Sequence, residues 1–381
     1  MVKRERIHIM EKKLFELINS IEDLDQKAIA EAEARQEVLA KPTGALGTLE
    51  ELSVQLAGIT GKVKNDMTKQ AVVIMSSDNG VVEEGVASAP QSVTYSQTIN
   101  FTRGLTGVSS MAKYFGIDLL VVNLGVAMEI PEKLMTKEPV IDGKLTKGIW
   151  NKRISAGTKN LAKGPAMTRQ MAVEAIMTGI EAAKAIKETG HDIFGVGEMG
   201  IGNTSTSACV LSALTGAKGD EVVGRGGGLT DAGLAKKIQI VDDAAARCTG
   251  DIIDTLAEVG GYDICAMVGA YLGAAIEKMP VVIDGYISAV AALAASKLSP
   301  LAVKYMVGSH ISKEPGYLIA MNALGVKPLF NLGMRLGEGS GCPISFKIVE
   351  TACATMNLMA TYDEGAIDAD YLDERKEGAF F

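Results

Sequence analysis

The 381-residue chain lacks the features that mark several common classes of protein. Its five cysteines are scattered, with no Cys-x-x-Cys pair, so reduced and buried thiols are expected and a metal site is not. Basic residues are not in excess: the formal charge is −8 and the pI about 5.2, which argues against a nucleic acid partner. The most apolar stretch, 279–296, is interrupted by Asp284 and Gly285, so no membrane-spanning helix is expected.

The start of the sequence, MVKRERIHIMEKKLFELI, has charges throughout and no apolar core. No signal peptide is therefore expected, and the cytoplasm is the predicted compartment. Hydrophobic residues instead make up 47% of the chain, and 42 residues are glycine. This composition predicts a globular protein rich in core and turns, and the length allows one large domain and a smaller one.

Short apolar runs recur along the chain, and each is followed by a loop of small or polar residues. The runs are 71–75, 119–122, 193–196, 280–283 and 303–307. Helical stretches are predicted at 11–39, 48–60, 168–188 and 234–257, and the segment 41–47 separates the first from the second. This alternation predicts an α/β fold, with a parallel sheet covered by helices.

In such sheets ligands bind at the carboxyl ends of the strands, and unusual polar residues follow the predicted strands. They are Asp78, Asn79, Glu83, Glu84, Gln91, Glu198, Asp284, Ser309 and His310. One connection differs from the others: residues 128–164 form a polar, lysine-rich excursion that contains the only tryptophan, Trp150. Its length is typical of a flap or an interface element.

The stretch HDIFGVGEMGIGNTSTSA, residues 191–208, carries the strongest local pattern. Residues 192–194 are predicted to end a buried strand. The loop that follows is predicted to contain Gly195, Gly197, Gly200 and Gly202, and the absence of side chains on these glycines lets its backbone approach a ligand closely. Residues 204–208 then supply hydroxyl caps at the start of a helix. A glycine loop before a helix N-terminus predicts a phosphate cradle, and a tight turn that binds nothing is the alternative.

Two known motifs overlap in this stretch, and neither fits well. Residues 195–200 match the dinucleotide pattern G-x-G-x-x-G, with Glu221 at about the right distance for a ribose carboxylate, but Glu198 inside the loop would repel a pyrophosphate. Residues 197–204 match the spacing of a P-loop, but Asn203 stands where the lysine is needed. A nucleoside triphosphatase is therefore not expected, and an NAD-dependent oxidoreductase is kept as an alternative.

A second glycine-flanked acid lies near the end of the chain, in LGEGSG at 336–341. The glycines give Glu338 close access to a substrate, and a carboxylate among apolar neighbours can have a raised pKa and act as a general base. A surface turn is the alternative, although Asp or Asn is commoner in turns. The residues alone thus predict a phosphate-binding α/β enzyme with a catalytic glutamate.

Several blocks of the sequence resemble a known family. They are KPTGALGTLE at 41–50, SDNGVVEEGVASAPQSVT at 77–94, GEMGIGNTSTSA at 197–208, GRGGGLTDAGLAKK at 224–237, PVVIDGYISAVAAL at 280–293 and SHISKEPGYLIAMNALGVKPLFNLGMRLGEGSG at 309–341. In this order they are similar to the nicotinate-nucleotide–dimethylbenzimidazole phosphoribosyltransferases, which make the lower-ligand nucleotide of cobamides. The resemblance extends from residue 41 to about residue 360.

The resemblance implies an activity and a site. The family transfers the phosphoribosyl group of nicotinate mononucleotide to a lower-ligand base, with inversion to the α-nucleotide, and needs no metal or organic cofactor. Glu338 matches the family's general base, and Glu198 would stabilise an oxocarbenium-like transition state. The predicted phosphate and ribose contacts are Gly200, Ile201, Gly202, Asn203, Thr204, Lys237 and Ser309, and the predicted acceptor pocket consists of Asp78, Asn79, Gln91 and Leu336.

The resemblance also implies an architecture. Family members have a Rossmann-like large domain and a small domain built from both chain ends. This predicts a small helical domain of 1–60 plus 345–381 and a large α/β catalytic domain of 61–344. Family members are homodimers, which predicts a homodimer here, with a heteromer that includes a paralogue as the alternative.

Two departures from the family's pattern bear on the acceptor. DNG at 78–80 stands where many relatives have Asp-His-Gly, and RGGG at 225–228 where many have Arg-Gly-Thr-Gly. The first departure lies beside the predicted acceptor pocket, so it either alters which ring is held or is neutral, and the neutral interpretation is favoured. The acceptor stays open among benzimidazoles, purines and phenols, and a non-catalytic partner subunit is a further alternative.

Overall fold

The computed structural model describes residues 2–225 and 228–368, and a parallel sheet lies at its centre. The strands in these residues are β1 Gln70–Ser77, β2 Asp118–Gly125, β3 Met135–Thr136, β4 Val140–Ile141, β5 Lys144–Leu145, β6 Ile149–Asn151, β7 Ile193–Met199, β8 Val281–Ile283, β9 Met306–His310 and β10 Pro328–Phe330. Eight of them form one sheet in the order β10-β9-β8-β7-β1-β2-β6-β3, with parallel pairing. The strands β4 and β5 form a separate antiparallel pair.

Helices connect and flank these strands. They are α1 Val2–Asn19, α2 Gln26–Val38, α3 Thr48–Thr60, α4 Ser92–Arg103, α5 Gly107–Phe115, α6 Arg169–Glu188, α7 Asn203–Thr215, α8 Gly219–Val222, α9 Asp231–Ala245, α10 Ile252–Val259, α11 Tyr262–Ile276, α12 Tyr286–Leu298, α13 Tyr317–Leu324 and α14 Cys342–Leu358, with short 3₁₀ helices at Gly80–Glu84, Glu132–Leu134 and Pro300–Tyr305. The predicted α/β class is confirmed. Among the helices of the described ranges, none is long and apolar enough to cross a membrane.

The central strands form where apolar and β-branched residues follow one another. Every residue of β1 and of β7 is buried, which is characteristic of parallel strands covered on both faces. Four of the five predicted runs lie at or within one residue of a strand. The fifth was predicted three residues too early, because 300–305 form a 3₁₀ helix that starts at a proline and the strand begins at Met306.

The strand order reverses at the middle of the sheet. The strands β2, β3 and β6 lie on one side of β1, and β8, β9 and β10 lie on the far side of β7. The strand order therefore switches between the neighbours β1 and β7. In open α/β sheets ligands bind at the carboxyl ends of the strands at such a switch point. Asp78 and Asn79 follow β1, and Gly200 follows β7. The topology thus favours a site at these two strand ends.

Two predicted helical stretches are each divided in the structure. The stretch 11–39 is broken at 20–25, where Asp25 caps α2 by accepting a hydrogen bond from the N–H of Ala28 at 3.0 Å. The stretch 234–257 is divided between α9 and α10, and Asp251 caps α10 through the N–H of Asp254 at 2.8 Å. Both predictions of a continuous helix are wrong, because an aspartate at an N-cap starts a new helix while the apolar spacing persists.

Residues 128–164 extend the sheet. The strand β6 pairs with β2 and with β3, and the β4–β5 hairpin lies between β3 and β6 in the chain. Trp150 of β6 is buried, and its indole N–H donates to the carbonyl of Lys137 at 3.0 Å. This part of the excursion therefore belongs to the sheet and is not a flap. The interface element stays a prediction.

The chain forms two compact units. One contains Met1–Glu22 and Lys69–Ser345 and includes the sheet, and the other contains Asp23–Thr68 and Phe346–Phe381, from both ends of the chain. In the described part of the smaller unit, α2, α3 and most of α14 contribute to a helical core. This core includes Ala28, Ala32, Ala57 and Met356, with Val54 and Val63 packed against it.

The helix α1 groups with the larger unit, which differs from the predicted boundaries of 1–60 and 61–344. The guanidinium group of Arg169 in α6 donates to the carboxylate of Glu11 in α1 at 2.8 Å. Leu14 and Ile18 of α1 are buried. The ion pair of Glu11 and the burial of Leu14 and Ile18 explain why α1 belongs to the unit that contains the sheet.

The helices α6 and α11 pack with their backbones in contact. A Cβ on Gly179 would overlap the carbonyl oxygen of Ala266, and a Cβ on Gly269 would overlap the carbonyl oxygen of Ile176. The two glycines therefore allow an approach that no larger residue permits, since a packed interior leaves no room for an added methyl group.

Gly269→Ala is expected to lower the free energy of unfolding by about 3 kcal/mol, because the new methyl group must push one helix away from the other. Urea unfolding followed by circular dichroism measures this loss. The control is Gly233→Ala in α9, whose Cβ would meet its nearest atoms at 3.4 Å, an ordinary contact. That variant should be unchanged or more stable by up to about 1 kcal/mol, and equal transitions for the two variants would contradict the close packing.

Candidate active site

The glycine-rich stretch forms the end of β7 and the start of α7. Gly195 and Gly197 lie inside β7, so the prediction that they belong to a loop is wrong. The physical reason is a close approach: a Cβ on Gly197 would lie 2.5 Å from the carbonyl oxygen of Glu338. Gly202, with a φ of +94°, is the N-cap residue of α7 in place of the predicted hydroxyl caps.

The turn between β7 and α7 lines a cleft, which we call the cradle cleft. Its lining consists of Gly200, Ile201, Gly202, Asn203, Thr204, Arg225, Lys237 and residues 86–89. The first N–H groups of a helix have no partner within the helix and carry partial positive charge, so the start of α7 favours an anion. The structure thus brings the predicted contacts from Gly200 to Thr204 together with Lys237.

Lys237 brings a buried ammonium group to the cradle cleft. The residue is 1% exposed, and its Nζ donates to the Thr204 hydroxyl at 3.0 Å and to the Gly224 carbonyl at 3.4 Å. Burial lowers the pKa of this ammonium group, and the carboxylate of Glu314 opposes the shift. Because both hydrogen-bond acceptors are neutral, a bound anion would compensate for much of the cost of burying the charge.

The loop 337–341, which we call the acid loop, is held by carboxyl groups. The N–H of Glu338 donates to Glu198 at 3.3 Å, and the N–H groups of Gly339 and Gly341 donate to Asp284 at 2.9 and 2.7 Å. Glu338 has a φ of +63°, a left-handed conformation that is strained for a residue with a side chain. Strain of this kind is concentrated at functional sites.

The carboxyl group of Glu338 lies at the N-terminus of α5. It accepts hydrogen bonds from the N–H of Gly107 at 3.1 Å and from the side chain of Gln97 at 3.3 Å. Burial raises the pKa of Glu338, and the hydrogen bonds from the first turn of α5 limit the rise. A buried carboxylate with a raised pKa is suited to accept a proton from a substrate.

A second cleft, which we call the acid cleft, opens beside Glu198. Its lining consists of Glu198, Thr204, Asp284, Gly285, Tyr286, Ile287, Ser288, Ser312, Glu314, Arg335, Leu336 and Gly337. Thr204 lines both clefts, so the cradle cleft and the acid cleft adjoin. One ligand with an anionic group and a reacting centre could therefore occupy both.

Three buried carboxyl groups near these clefts have raised pKa values. Burial, with a further contribution from the Asp263 carboxylate, raises the pKa of Glu198 to about 8. Burial raises the pKa of Asp263 to about 7 and the pKa of Asp284 to about 7. Perturbed carboxyl groups gathered at a cleft are typical of sites that move protons or stabilise positive charge.

Two residues at this site were not singled out from the sequence. Asp263 is the only charged residue in α11, which is otherwise mostly apolar. A single acid in such a helix is the sequence signal that could have marked it as a site residue. Gln97 contacts Glu338 from the middle of α4, whereas the predicted Gln91 is the half-buried N-cap residue of that helix. No sequence signal separates these two glutamines, because helix orientation decides which one reaches the acid loop.

The other predicted acceptor residues lie in three different surroundings. Asp78 is fully buried, and its carboxyl group accepts the N–H of Ala127 at 2.7 Å, so it braces the turn after β2. Asn79 lies against Gly200: a Cβ added to Gly200 would be 3.0 Å from the side-chain amide nitrogen of Asn79. Leu336 is 57% exposed beside the acid loop.

Ser309 and Glu221 have their side chains engaged elsewhere. Ser309 is fully buried and donates to the carbonyl of Asp284 at 2.7 Å, so its hydroxyl does not open to either cleft. Glu221 accepts the N–H of Lys218 at 2.7 Å at the exposed start of α8. With Gly195 and Gly197 inside a strand, the dinucleotide pattern has no structural support.

Two remaining expectations concern metals and the second departure from the family pattern. Within residues 2–225 and 228–368, no group of three or more His, Cys, Asp or Glu side chains is placed to hold a metal ion. Gly226 and Gly227 of the RGGG segment lie outside the described residues. Arg225, at the start of that segment, lines the cradle cleft.

Comparison with known proteins agrees with this geometry. A family model described as phosphoribosyltransferase matches residues 21–367. The nicotinate-nucleotide–dimethylbenzimidazole phosphoribosyltransferase of Clostridium perfringens is 49% identical over 367 residues, which cover 96% of this chain and 98% of that protein. The protein of the same name from Clostridium tetani is 44% identical over 373 residues, with 97% and 99% covered.

Solved structures give the same result. The crystal structure of nicotinate-nucleotide–dimethylbenzimidazole phosphoribosyltransferase from Thermus thermophilus superposes with a TM-score of 0.83 at 35% identity, covering 91% of this chain and 99% of that one. A structure of CobT from the same organism gives a TM-score of 0.84 at 36% identity, with 90% and 99% covered. The chain described here therefore belongs to the phosphoribosyltransferase family that contains these enzymes.

Proposed function

We propose that this protein transfers the 5-phosphoribosyl group of nicotinate mononucleotide to an aromatic lower-ligand base, with inversion to the α-nucleotide, in cobamide biosynthesis. The observation that carries the proposal is the buried ammonium of Lys237 in a cleft that adjoins a second cleft lined by Glu198. A mononucleotide has one phosphate and one reacting anomeric carbon, which matches one cationic cleft beside one acidic cleft.

The phosphate is proposed to occupy the cradle cleft. The backbone at Gly200 and Gly202 would donate hydrogen bonds, and Lys237 would supply the counter-charge. The ribose then extends past Thr204 toward Glu198, whose carboxylate would stabilise positive charge on the ring as the bond to nicotinate lengthens.

The chemistry is a displacement at the anomeric carbon. The nitrogen or oxygen of the acceptor bonds to this carbon from the α face, while nicotinate leaves from the β face with the electron pair of the glycosidic bond. Nicotinate leaves as a neutral pyridine ring, so it needs no proton. The acceptor loses its proton to Glu338, which is the general base of the proposal.

The acceptor is proposed to be a benzimidazole, a purine or a phenol that docks between Leu336 and Gln97, next to Glu338. Leu336 offers an exposed apolar surface to an aromatic ring, and Gln97 already holds the carboxyl group in place. Asn79 lies beside Gly200 of the cradle cleft, so it is placed to affect the donor side. This supports the neutral interpretation of its departure from the family pattern as far as the acceptor is concerned.

We also propose that the protein works in the cytoplasm as a homodimer, with a heteromer that includes a paralogue as the alternative. The support for a homodimer is the resemblance to the family, whose members are homodimers. Light scattering of the purified protein would distinguish a dimer from a monomer, and a monomer at all concentrations would contradict this expectation.

The test of function is incubation of the purified protein with nicotinate mononucleotide and each of a panel of benzimidazoles, purines and phenols. Release of nicotinate in equal amount with an α-nucleotide is the expected result for at least one acceptor. Absence of nicotinate release with every acceptor would overturn the proposal. Oxidation or reduction of a nicotinamide cofactor instead would favour an oxidoreductase.

A further inference from the structure

The side chain of Asn203 joins two buried acids. Its amide nitrogen donates to the carboxyl group of Glu198 at 2.5 Å and to that of Asp263 at 3.1 Å. Asn203 is the first residue of α7, Glu198 is the penultimate residue of β7, and Asp263 belongs to α11. All three residues are less than a tenth exposed. The reaction proposed above uses Glu198 and gives no task to Asp263.

We propose that Asp263 is a positioning residue for the transfer reaction: through the amide of Asn203 it holds the Glu198 carboxyl group facing the acid cleft. This inference rests on the proposed function. It adds Asp263, which belongs to neither the glycine-rich stretch nor the acid loop, to the site. It also gives Asn203 a second role: besides lining the cradle cleft, its side chain links Asp263 to Glu198.

Hydrogen bonding fixes the orientation of each member of this group. An amide side chain has two N–H donors on one atom, and here that atom faces both acids, so the carbonyl end of Asn203 must point away from them. The other oxygen of Glu198 accepts the N–H of Glu338 at 3.3 Å. Both oxygens of Glu198 are therefore held, one by the acid loop and one by the bridge to Asp263.

The position of Asp263 is unfavourable unless it has such a task. It is fully buried at the start of a helix whose other residues are almost all apolar. An acid in the first turn of a helix also interacts favourably with the helix dipole, and this is the structural alternative. The two explanations differ in what they predict for Glu198.

Charge couples the two acids. The titratable groups that face Glu198 from the surrounding elements are Asp263 of α11, Asp284 after β8, Glu338 of the acid loop, and Glu314 and Arg335 across the acid cleft. Burial and the Asp263 carboxylate raise the pKa of Glu198 to about 8, and burial raises the pKa of Asp263 to about 7. Like charges this close disfavour double ionisation, so the charge of Asp263 opposes the ionisation of Glu198.

Asp263→Asn and Asp263→Ala separate the two roles. Asparagine keeps an oxygen that can accept from Asn203 and loses only the charge, so the bridge should remain. Loss of the neighbouring charge lowers the pKa of Glu198, and the limb of kcat that rises as Glu198 ionises should move to lower pH by about one unit. Alanine removes the bridge, so kcat should fall about tenfold or more at every pH while the donor KM changes little.

Wild-type protein and both variants are compared in the assay with nicotinate mononucleotide and the best acceptor, between pH 5 and pH 10. If Asp263→Ala folds, a loss of kcat that Asp263→Asn does not share supports the inference, and a kcat equal to that of Asp263→Asn overturns it. If Asp263→Ala does not fold, a shifted limb in Asp263→Asn supports the inference and an unshifted limb overturns it. A wild-type protein without turnover would overturn the proposed function and this inference with it, so the two failures are distinguishable.

Discussion

Replacing Glu338 by glutamine is expected to lower kcat by about 10²–10⁴-fold and to leave the KM for nicotinate mononucleotide nearly unchanged. The carboxylate accepts the acceptor's proton, and an amide cannot. Glutamine retains one oxygen that can accept the N–H of Gly107, and the amide of Gln97 can turn its carbonyl toward the new N–H₂ group, so the loop and the start of α5 should keep their structure. Steady-state rates with separate variation of donor and acceptor measure both quantities.

The loss should depend on the acceptor. A phenol oxygen is a poor nucleophile until it is deprotonated, whereas a benzimidazole has a ring nitrogen with a free lone pair. Phenols should therefore lose more rate than benzimidazoles in Glu338→Gln. Near-normal turnover with every acceptor would make Glu338 a structural turn residue, and Glu198 would become the next candidate for the general base.

The pH dependence follows from the same group. Burial raises the pKa of Glu338 above its ordinary value, and only the ionised form accepts a proton. The kcat should therefore rise as the pH increases through this raised pKa, and the resulting acid limb should be absent from Glu338→Gln. Burial raises the pKa of Glu198 to about 8, and the limb that follows its ionisation should remain in that variant.

Glu338→Gly provides a matched control for folding. Glycine adopts a φ of +63° without strain, which stabilises the loop by about 1 kcal/mol, while loss of the hydrogen bond from Gly107 costs about the same. The variant should thus be inactive yet unfold at nearly the same urea concentration as the wild type. A large loss of stability would show instead that the carboxyl group mainly serves to hold the acid loop on α5.

The sheet could be predicted from the sequence because its central strands depend on local composition. Runs such as 71–75 and 193–196 are apolar along their whole length, and a strand buried on both faces needs only that. Asp78 and Asn79 were correctly placed after β1 for the same reason, whereas Glu198, predicted to follow its strand, lies inside β7. Once these strands are parallel neighbours, Asn79 and Gly200 must lie at one edge of the sheet.

The role of the glycines could not be predicted in this way. Gly195 and Gly197 have the spacing of a phosphate loop, but they belong to β7 because Glu338 packs on the strand from 141 residues further along the chain. A glycine that makes a turn and a glycine that accepts a neighbouring backbone look alike in sequence. Only the tertiary partner separates them, and nothing within the glycine-rich stretch names that partner.

The coupling of Glu198 to Asp263 was hidden for a similar reason. The bridging residue Asn203 stands where a P-loop needs its lysine, and it was predicted to contact the phosphate or the ribose. Its side chain instead turns inward to two acids that lie 5 and 60 residues away. Buried polar groups require partners, but the sequence does not state which partners they find.

The second large effect is expected at Lys237. Removal of its ammonium group in Lys237→Ala should raise the KM for nicotinate mononucleotide by about 10- to 150-fold, which corresponds to about 1.5–3 kcal/mol for a charge-assisted contact to phosphate. The effect on kcat should be smaller, because the phosphate is bound in both the ground state and the transition state.

Lys236→Ala is the matched control. This neighbour on α9 is half exposed and pairs with the carboxylate of Glu84 at 3.0 Å, so it carries the same charge on the outer side of the same helix. Its removal should change the donor KM by less than about threefold, since an exposed ion pair contributes little. A general electrostatic effect of net charge would affect the two variants alike, whereas a phosphate contact affects only Lys237→Ala.

The donor itself offers the complementary change. Nicotinate riboside lacks the phosphate, so the wild-type protein should use it far less efficiently than the mononucleotide. In Lys237→Ala the advantage of the mononucleotide should shrink, because the phosphate has lost its buried partner, and the ratio of the two kcat/KM values in wild type and variant measures the coupling directly. If the wild type used riboside and mononucleotide equally well, the phosphate would not bind in the cradle cleft, and the buried ammonium of Lys237 would have to serve the packing of α9 against Thr204 alone.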